Sequence, residues 1–310
     1  MNTLFRRPTR KVILLLFALL LVIVGGLQVA RVAAKARKHE RFQNVLKDIN
    51  YVTDGHDPFQ TLDLYVPKHP IRTPIPVIVW VHGGAWVAGD KNHPPAAAIA
   101  DRGFACVSIN YRLSNQAPHP AQINDCKAAI RYVRAHAVEF QIDPTRIGVW
   151  GHSAGGHLSA LLATSGDVKE LEGEILGNKE QSSRVQAAAE WAGPTDLATC
   201  GQQAPKNCKI DFSSPSNPVA VLMGPNQSPV AYLAASPVQY VSKDDPPLLI
   251  VHAEDDDIVP VGQAKELDAL YKRIGLAQRC HIANHGGHAL SNPEFADETL
   301  RFLTDELSKN

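Results

Sequence analysis

Trp150-Gly151-His152-Ser153-Ala154-Gly155-Gly156-His157 sets a serine between glycines, directly after a short apolar run and directly before a helix-forming one. In a G-x-S-x-G pattern the serine occupies a sharp strand-to-helix turn whose strained backbone lifts Oγ clear of a sheet. The glycines stand where side chains would collide. The flanks agree with such an elbow: residues 146–150 read as a buried strand, and residues 157–163 as a helix whose N-terminal amides can support an anion.

Outward from the elbow, residues 77–81 and 104–109 are nearly continuous β-branched or apolar runs, the mark of strands covered on both faces in a parallel sheet. Further strands are expected at 185–191, 248–252 and 278–282, with helices at 94–102, 121–140, after Ser153, at 262–274 and at 294–307. This alternation predicts an α/β fold with a mostly parallel, doubly wound sheet and right-handed crossovers. Residues 48–52 and 61–66 alternate apolar and polar side chains around a Gly/Asp/Pro-rich break, which predicts an N-terminal antiparallel hairpin. Residues 194–246, rich in Pro, Ser, Asn and Gln, interrupt the alternation. They are expected to form a small cap of loops and short helices over the C-terminal edge of the sheet, where open α/β folds bind ligands.

A chain of 310 residues with 45% hydrophobic content suits one large domain, placed at 48–310 after a charged linker at 35–47. The formal net charge is zero, and beyond the N-terminus no Lys/Arg block is interleaved with aromatics, which argues against nucleic acid as a partner. Residues 1–34 read as a signal peptide or membrane anchor. Arg6, Arg7, Arg10 and Lys11 precede an apolar stretch at 12–27, longer than the core of about 7–15 residues in a cleavable signal and shorter than a spanning helix of about 20. Val29-Ala30 and Val32-Ala33-Ala34 offer cleavage sites. Uncleaved, residues 12–30 would tether the domain to a membrane. Arg31, Lys35, Arg37 and Lys38 balance the first cations, so charge sets no orientation. The expected location is exported, periplasmic or extracellular.

Cys200 and Cys208 flank a polar, turn-rich loop suited to a local disulfide in an oxidising compartment, whereas Cys106, Cys126 and Cys280 read as buried thiols. With no C-x-x-C pair, no metal site is expected, and nothing asks for a cofactor.

A serine hydroxyl attacks only when a base takes its proton, and the base works best when a carboxylate fixes its tautomer. Chain order Ser, acid, His is one of the orders in which such triads occur. Glu254, Asp255, Asp256 and Asp257 all follow the strand at 248–252, and spacing from Val259-Pro260 favours Asp256. For the base, His288 is preferred to His285 because Gly286 and Gly287 let the loop turn back toward the elbow. Val81-His82-Gly83-Gly84-Ala85-Trp86 ends a strand with a glycine pair that frees backbone amides. Gly84 and Ala85, with the Ala154 amide, are the candidate oxyanion donors.

Taken together, His82-Gly83-Gly84-Ala85-Trp86, Asn110-Tyr111-Arg112-Leu113, the Ser153 elbow, Gly193-Pro194-Thr195-Asp196-Leu197, the Asp256 strand end and Gly287-His288 resemble the esterase/lipase type of α/β-hydrolase. The likeness is strongest to the feruloyl-esterase-like (BD-FAE-like) carboxylesterases and spans roughly residues 50–303. The resemblance implies Ser153 as nucleophile, Asp256 as acid and His288 as base. It also implies hydrolysis of short-chain or carbohydrate-linked (acetyl, feruloyl) esters through an acyl-enzyme. Ala85 replaces a third glycine found in hormone-sensitive-lipase relatives, and Ala253 a glycine found after the histidine in many members; neither change removes an amide.

Trp86, His152 and Trp191 are possible substrate contacts, and Trp86, His152 and His157 have packing as the rival reading. Tyr111, Arg112 and Asp125 suggest a brace under the oxyanion loop, and Asp196 a cap. A serine peptidase of the prolyl-oligopeptidase type shares the triad order but usually carries a propeller, for which the N-terminal region is too short. A non-catalytic binding protein on the same fold would be expected to lack a triad member.

Overall fold

The computed structural model describes residues 41–309 apart from 53, 54, 56, 167, 174 and 175. The signal or anchor expected at 1–34 lies outside the described residues. Among the described residues, no helix is long and apolar enough to cross a membrane.

Eight strands form one sheet: β1 (Phe42–Asn50), β2 (Thr61–Pro67), β3 (Ile75–Val81), β4 (Ala105–Ile109), β5 (Ile142–His152), β6 (Ala187–Trp191), β7 (Leu248–Ala253) and β8 (Gln278–Ala283). Their order is β1-β2-β4-β3-β5-β6-β7-β8. β1 and β2 pair antiparallel, as do β2 and β4, and the remaining pairs are parallel. The apolar runs are continuous because successive residues enter different layers. Val77, Val79 and Val81 pack with Ile123, Ile130, Leu158 and Leu161 on one face; Ile78 packs with Phe104, Trp150, Phe302 and Leu303 on the other. Each such side chain, fully buried, contributes about 1.5–3 kcal/mol, so the sheet is held from both sides.

Two expectations of secondary structure need correcting. The linker at 35–47 is already strand from Phe42, because β1 pairs with β2 from Phe42↔Pro67 to Asn50↔Thr61. Register shifts between Phe42 and Asn44 and between Leu46 and Ile49 break the two-residue alternation that would have revealed it. The edge is fixed by charge: Lys47 and Lys91 both pair with the buried Asp63 carboxylate. The helix expected over 121–140 is two, Ala121–Ala135 and Ala137–Phe140.

Residues 194–246 carry the short helices Cys200–Gln203, Pro218–Met223 and Pro229–Ala234. Asn217 and Ser228 cap the latter two by accepting the Ala220 and Ala231 amides, each with a proline in the first turn. All five cysteines are free thiols, so the disulfide expected between Cys200 and Cys208 is not formed. Cys200 is buried, and the Cys208 thiol points instead toward the Ile258 carbonyl, 3.8 Å away.

Candidate active site

β5 runs into the helix Ala154–Thr164 through Ser153, whose φ of 59° and ψ of −123° lie outside the ordinary regions for a side-chain-bearing residue. The turn closes only because its flanks lack side chains. A Cβ on Gly155 would stand 2.1 Å from the Val81 carbonyl oxygen, and one on Gly151 would stand 2.2 Å from that of Gly155. The Ser153 amide donates to the Trp191 carbonyl at 2.7 Å, tying the elbow to the end of β6.

Three distant segments meet at this turn. His288 Nε2 lies 2.8 Å from Ser153 Oγ, and His288 Nδ1 lies 2.9 Å from Asp256 Oδ2. Asp256 Oδ1 accepts the amides of Ile258 and Val259 at 2.8 and 2.9 Å. Burial works against the charge on Asp256, but hydrogen bonds from His252, His288 and the Val259 amide outweigh it and hold the carboxyl well below the usual carboxylate range. Asp256 therefore stays an acceptor, and the hydrogen-bond pattern places the His288 proton on Nδ1 and its lone pair toward Ser153. His285 does not reach the site; it is 90% exposed and 3.4 Å from Asp255. Asp255 instead accepts the Gly287 amide at 2.8 Å, and so shapes the loop that carries His288.

The loop after β3 supplies the other wall. Ala85 and Trp86 have φ values of 54° and 58°. Among the described residues, the amides of Gly84, Ala85 and Ala154 donate to no protein acceptor. Two such amides facing one oxygen would stabilise its charge as it develops. Tyr111 stacks on His82, with ring centroids 4.3 Å apart, and its hydroxyl donates to the His82 carbonyl at 2.9 Å. Arg112 grips the fully buried Asp125 through two 2.8 Å hydrogen bonds, and Gln60 donates to the same carboxylate. The expected brace is present.

The other candidates divide. Trp86 Nε1 donates to His157 Nδ1 at 3.2 Å, while His157 Nε2 donates to the Ala235 carbonyl at 2.8 Å. Burial pushes the His157 imidazole down to about 4, so it is a neutral strut between elbow helix and cap. His152 Nε2 donates to the His288 backbone carbonyl at 2.7 Å, which makes His152 a support for the base. The expectation for Trp191 fails: its indole donates to Thr299 at 2.9 Å and packs on Trp150 and Phe295 in the opposite layer. A residue at the end of a strand offers its side chain to one face only, and at Trp191 that face is the core. Asp196 accepts the Ala198 amide, as a turn cap should.

Beside Ser153 lies an apolar cavity of about 70 Å³, walled by Ala85 and Trp86 from the loop after β3 and by Cys200, Ile210, Phe212, Pro218 and Val219 from the cap. Sequence reasoning missed these cap residues, since they follow no period. It also missed His252, whose Nε2 approaches Asp256 Oδ2 at 3.2 Å. Its position four residues before Asp256 was the available signal.

Comparison with known proteins gives a consistent result. Residues 62–271 match the BD-FAE family model. Esterase LipC of Mycobacterium tuberculosis is 31% identical over 259 residues, covering 81% of this chain and 62% of LipC. Esterase LipQ of the same organism is 32% identical over 247 residues, covering 77% of this chain and 55% of LipQ, so the chain spans little more than half of these relatives. Among solved structures, a truncated carbohydrate esterase from gut microbiota superposes with a TM-score of 0.79 at 33% identity, covering 87% of this chain and 98% of that one. A bifunctional GH43-CE protein of Bacteroides eggerthii gives 0.74 at 31% identity, covering 85% of this chain and 35% of its own.

Proposed function

Because the chain belongs to the BD-FAE family of α/β-hydrolase esterases, we propose that it hydrolyses short-chain carboxylic esters, carbohydrate acetates foremost, through an acyl-enzyme on Ser153. The observation that carries this reading is the continuous path from Asp256 Oδ2 through His288 to Ser153 Oγ, 2.9 and then 2.8 Å, at a strained elbow beside an apolar cavity.

His288 takes the Ser153 proton as Oγ attacks the ester carbonyl. The amides of Gly84, Ala85 and Ala154 receive the oxyanion, a role in which each donor is commonly worth about 10²–10³ in turnover. His288 then protonates the departing alcohol, and water repeats the sequence on the acyl-enzyme. The cavity favours small acyl groups. A hydroxycinnamoyl group would require Phe212 and Val219 to move, so feruloyl esters are expected to be the slower substrates. The basic and apolar N-terminal segment supports export of this activity, with cleavage or anchoring decided by the mature N-terminus.

The test is a panel of p-nitrophenyl esters, acetylated xylan and feruloyl arabinose on wild type and Ser153→Ala, with fluorophosphonate labelling. Acetate turnover and labelling in wild type, both absent in Ser153→Ala, are expected. Labelling that survives in the variant would assign the nucleophile elsewhere.

A further inference from the structure

Behind the triad lie two buried ionisable groups that the mechanism does not use. Glu190 on β6 aligns with Ile250 on β7, so His252, two residues further along, projects from the same face of the sheet as Glu190. Both side chains are fully buried. Glu190 Oε2 accepts the Gly193 amide at 2.9 Å, while Oε1 has no hydrogen-bond partner among the described residues. His252 Nε2 is held between the Val259 carbonyl, 3.0 Å away, and Asp256 Oδ2, 3.2 Å away, and its Nδ1 is likewise buried without a partner. Two unpartnered polar atoms of opposite character on one buried face of adjacent strands are costly unless a proton or charge serves both.

We propose that His252 and Glu190 are positioning residues for the triad: His252 holds Asp256 Oδ2 from the side opposite His288, and Glu190 determines whether that imidazole is cationic. The proposal rests on the triad assigned above. Because Nε2 faces two acceptors, it carries a proton in every state, and only Nδ1 changes. The pair holds one proton in common. When it leaves Glu190 Oε1 and is taken up at His252 Nδ1, a carboxylic acid and neutral imidazole become a carboxylate and imidazolium, with net charge unchanged.

The surroundings are set for this exchange. Burial lifts the Glu190 carboxyl to about 7 against the lowering effects of His252 and the Gly193 amide. For His252, burial disfavours the charge, but the Asp256 hydrogen bond, Glu190 and the Val259 carbonyl raise it above its ordinary value. The other titratable groups facing this cluster are His288, His152 at the end of β5, Cys280 on β8 and Cys200 in the cap. Burial pushes Cys280 to about 12 and Cys200 higher still, so both stay protonated, and it lowers His152. A cationic His252 shares the Asp256 charge with His288 and disfavours protonation of the base. Without it, the base holds its proton to higher pH.

The experiment is kcat/KM for p-nitrophenyl acetate against pH for wild type, His252→Gln, Glu190→Gln and the double variant, with thermal melting as the folding check. Gln at 252 keeps a donor but cannot become cationic; Gln at 190 keeps the acceptor for Gly193. In His252→Gln the acid limb is expected to move up by roughly 0.5–1 pH unit, with kcat down about 3–10-fold and KM within about twofold. Glu190→Gln should move it the same way by a smaller amount, and the double variant no further than His252→Gln. An unmoved acid limb in both single variants, whatever happens to the plateau, overturns the proposal, as do additive shifts in the double variant. If His252→Gln fails to fold, an unmoved limb in Glu190→Gln is sufficient to reject it. Failure of the triad itself would appear differently, as wild-type protein without fluorophosphonate labelling at Ser153.

Discussion

The floor of the site and its roof are built by opposite means. The floor, from the ends of β3, β5 and β7, is fixed by backbone: positive φ at Ser153, Ala85 and Trp86, glycines without room for a Cβ, and amides directed at Asp256 Oδ1. The roof, residues 194–246, meets the cavity through apolar side chains. Ile210, Phe212, Pro218 and Val219 wall the cavity, and hydrogen bonds such as the Trp86–His157–Ala235 chain and that from the Lys209 amide to the Asp257 carbonyl, 2.7 Å, tie the layers together. The contrast separates reactivity, which tolerates little displacement, from selectivity, which a change of side-chain volume can retune.

The strongest way to break this division is at the floor. Asp256→Asn leaves the volume unchanged but can place an amide hydrogen against His288 Nδ1. It should reduce kcat by about 10⁴ with KM little altered, measured on acetate esters under single-turnover conditions. A loss below tenfold would mean that the carboxylate is not the tautomer-setting group. At the roof, Phe212→Ala should raise the hexanoate-to-acetate ratio of kcat/KM about tenfold while the rate of Ser153 labelling by a small phosphonate stays within about twofold. A fall in both would show that the roof also holds the nucleophile. The smallest effect is expected at Ala85, the one oxyanion-loop position with positive φ where the resemblance leads one to expect glycine. Ala85→Gly relieves that strain but adds freedom to the unfolded chain, so stability should change by less than about 1 kcal/mol in thermal unfolding and kcat/KM by less than about threefold. A larger loss of activity would assign the Ala85 methyl to the acyl pocket.

The sheet was legible from β3 to β8 because buried parallel strands write themselves as apolar runs, β2 and the end of β1 because they alternate as a hairpin, and Ser153, Asp256 and His288 because each stands in a motif whose glycines or spacing have a backbone reason. The first part of β1, residues 42–47, was not, since bulges disrupt its alternation and a charged edge resembles a linker. Trp191 misled for a different reason: a tryptophan beside a site in sequence belongs to whichever layer its strand parity selects, and here that is the core against Thr299 and Phe295.

The amino-acid sequence by itself determined the fold class and the elbow, and narrowed the acid and the base to the loops after β7 and β8, because local backbone geometry restricts which residues can occupy those positions. Tertiary structure alone decided that His285 faces solvent while His288 reaches Ser153, that Cys200 walls a cavity instead of bridging to Cys208, and that Glu190 and His252 are buried on one face of adjacent strands, with His252 against Asp256. Those outcomes depend on distances across the sheet and between loops, and neither periodicity nor spacing along a chain encodes a distance through space.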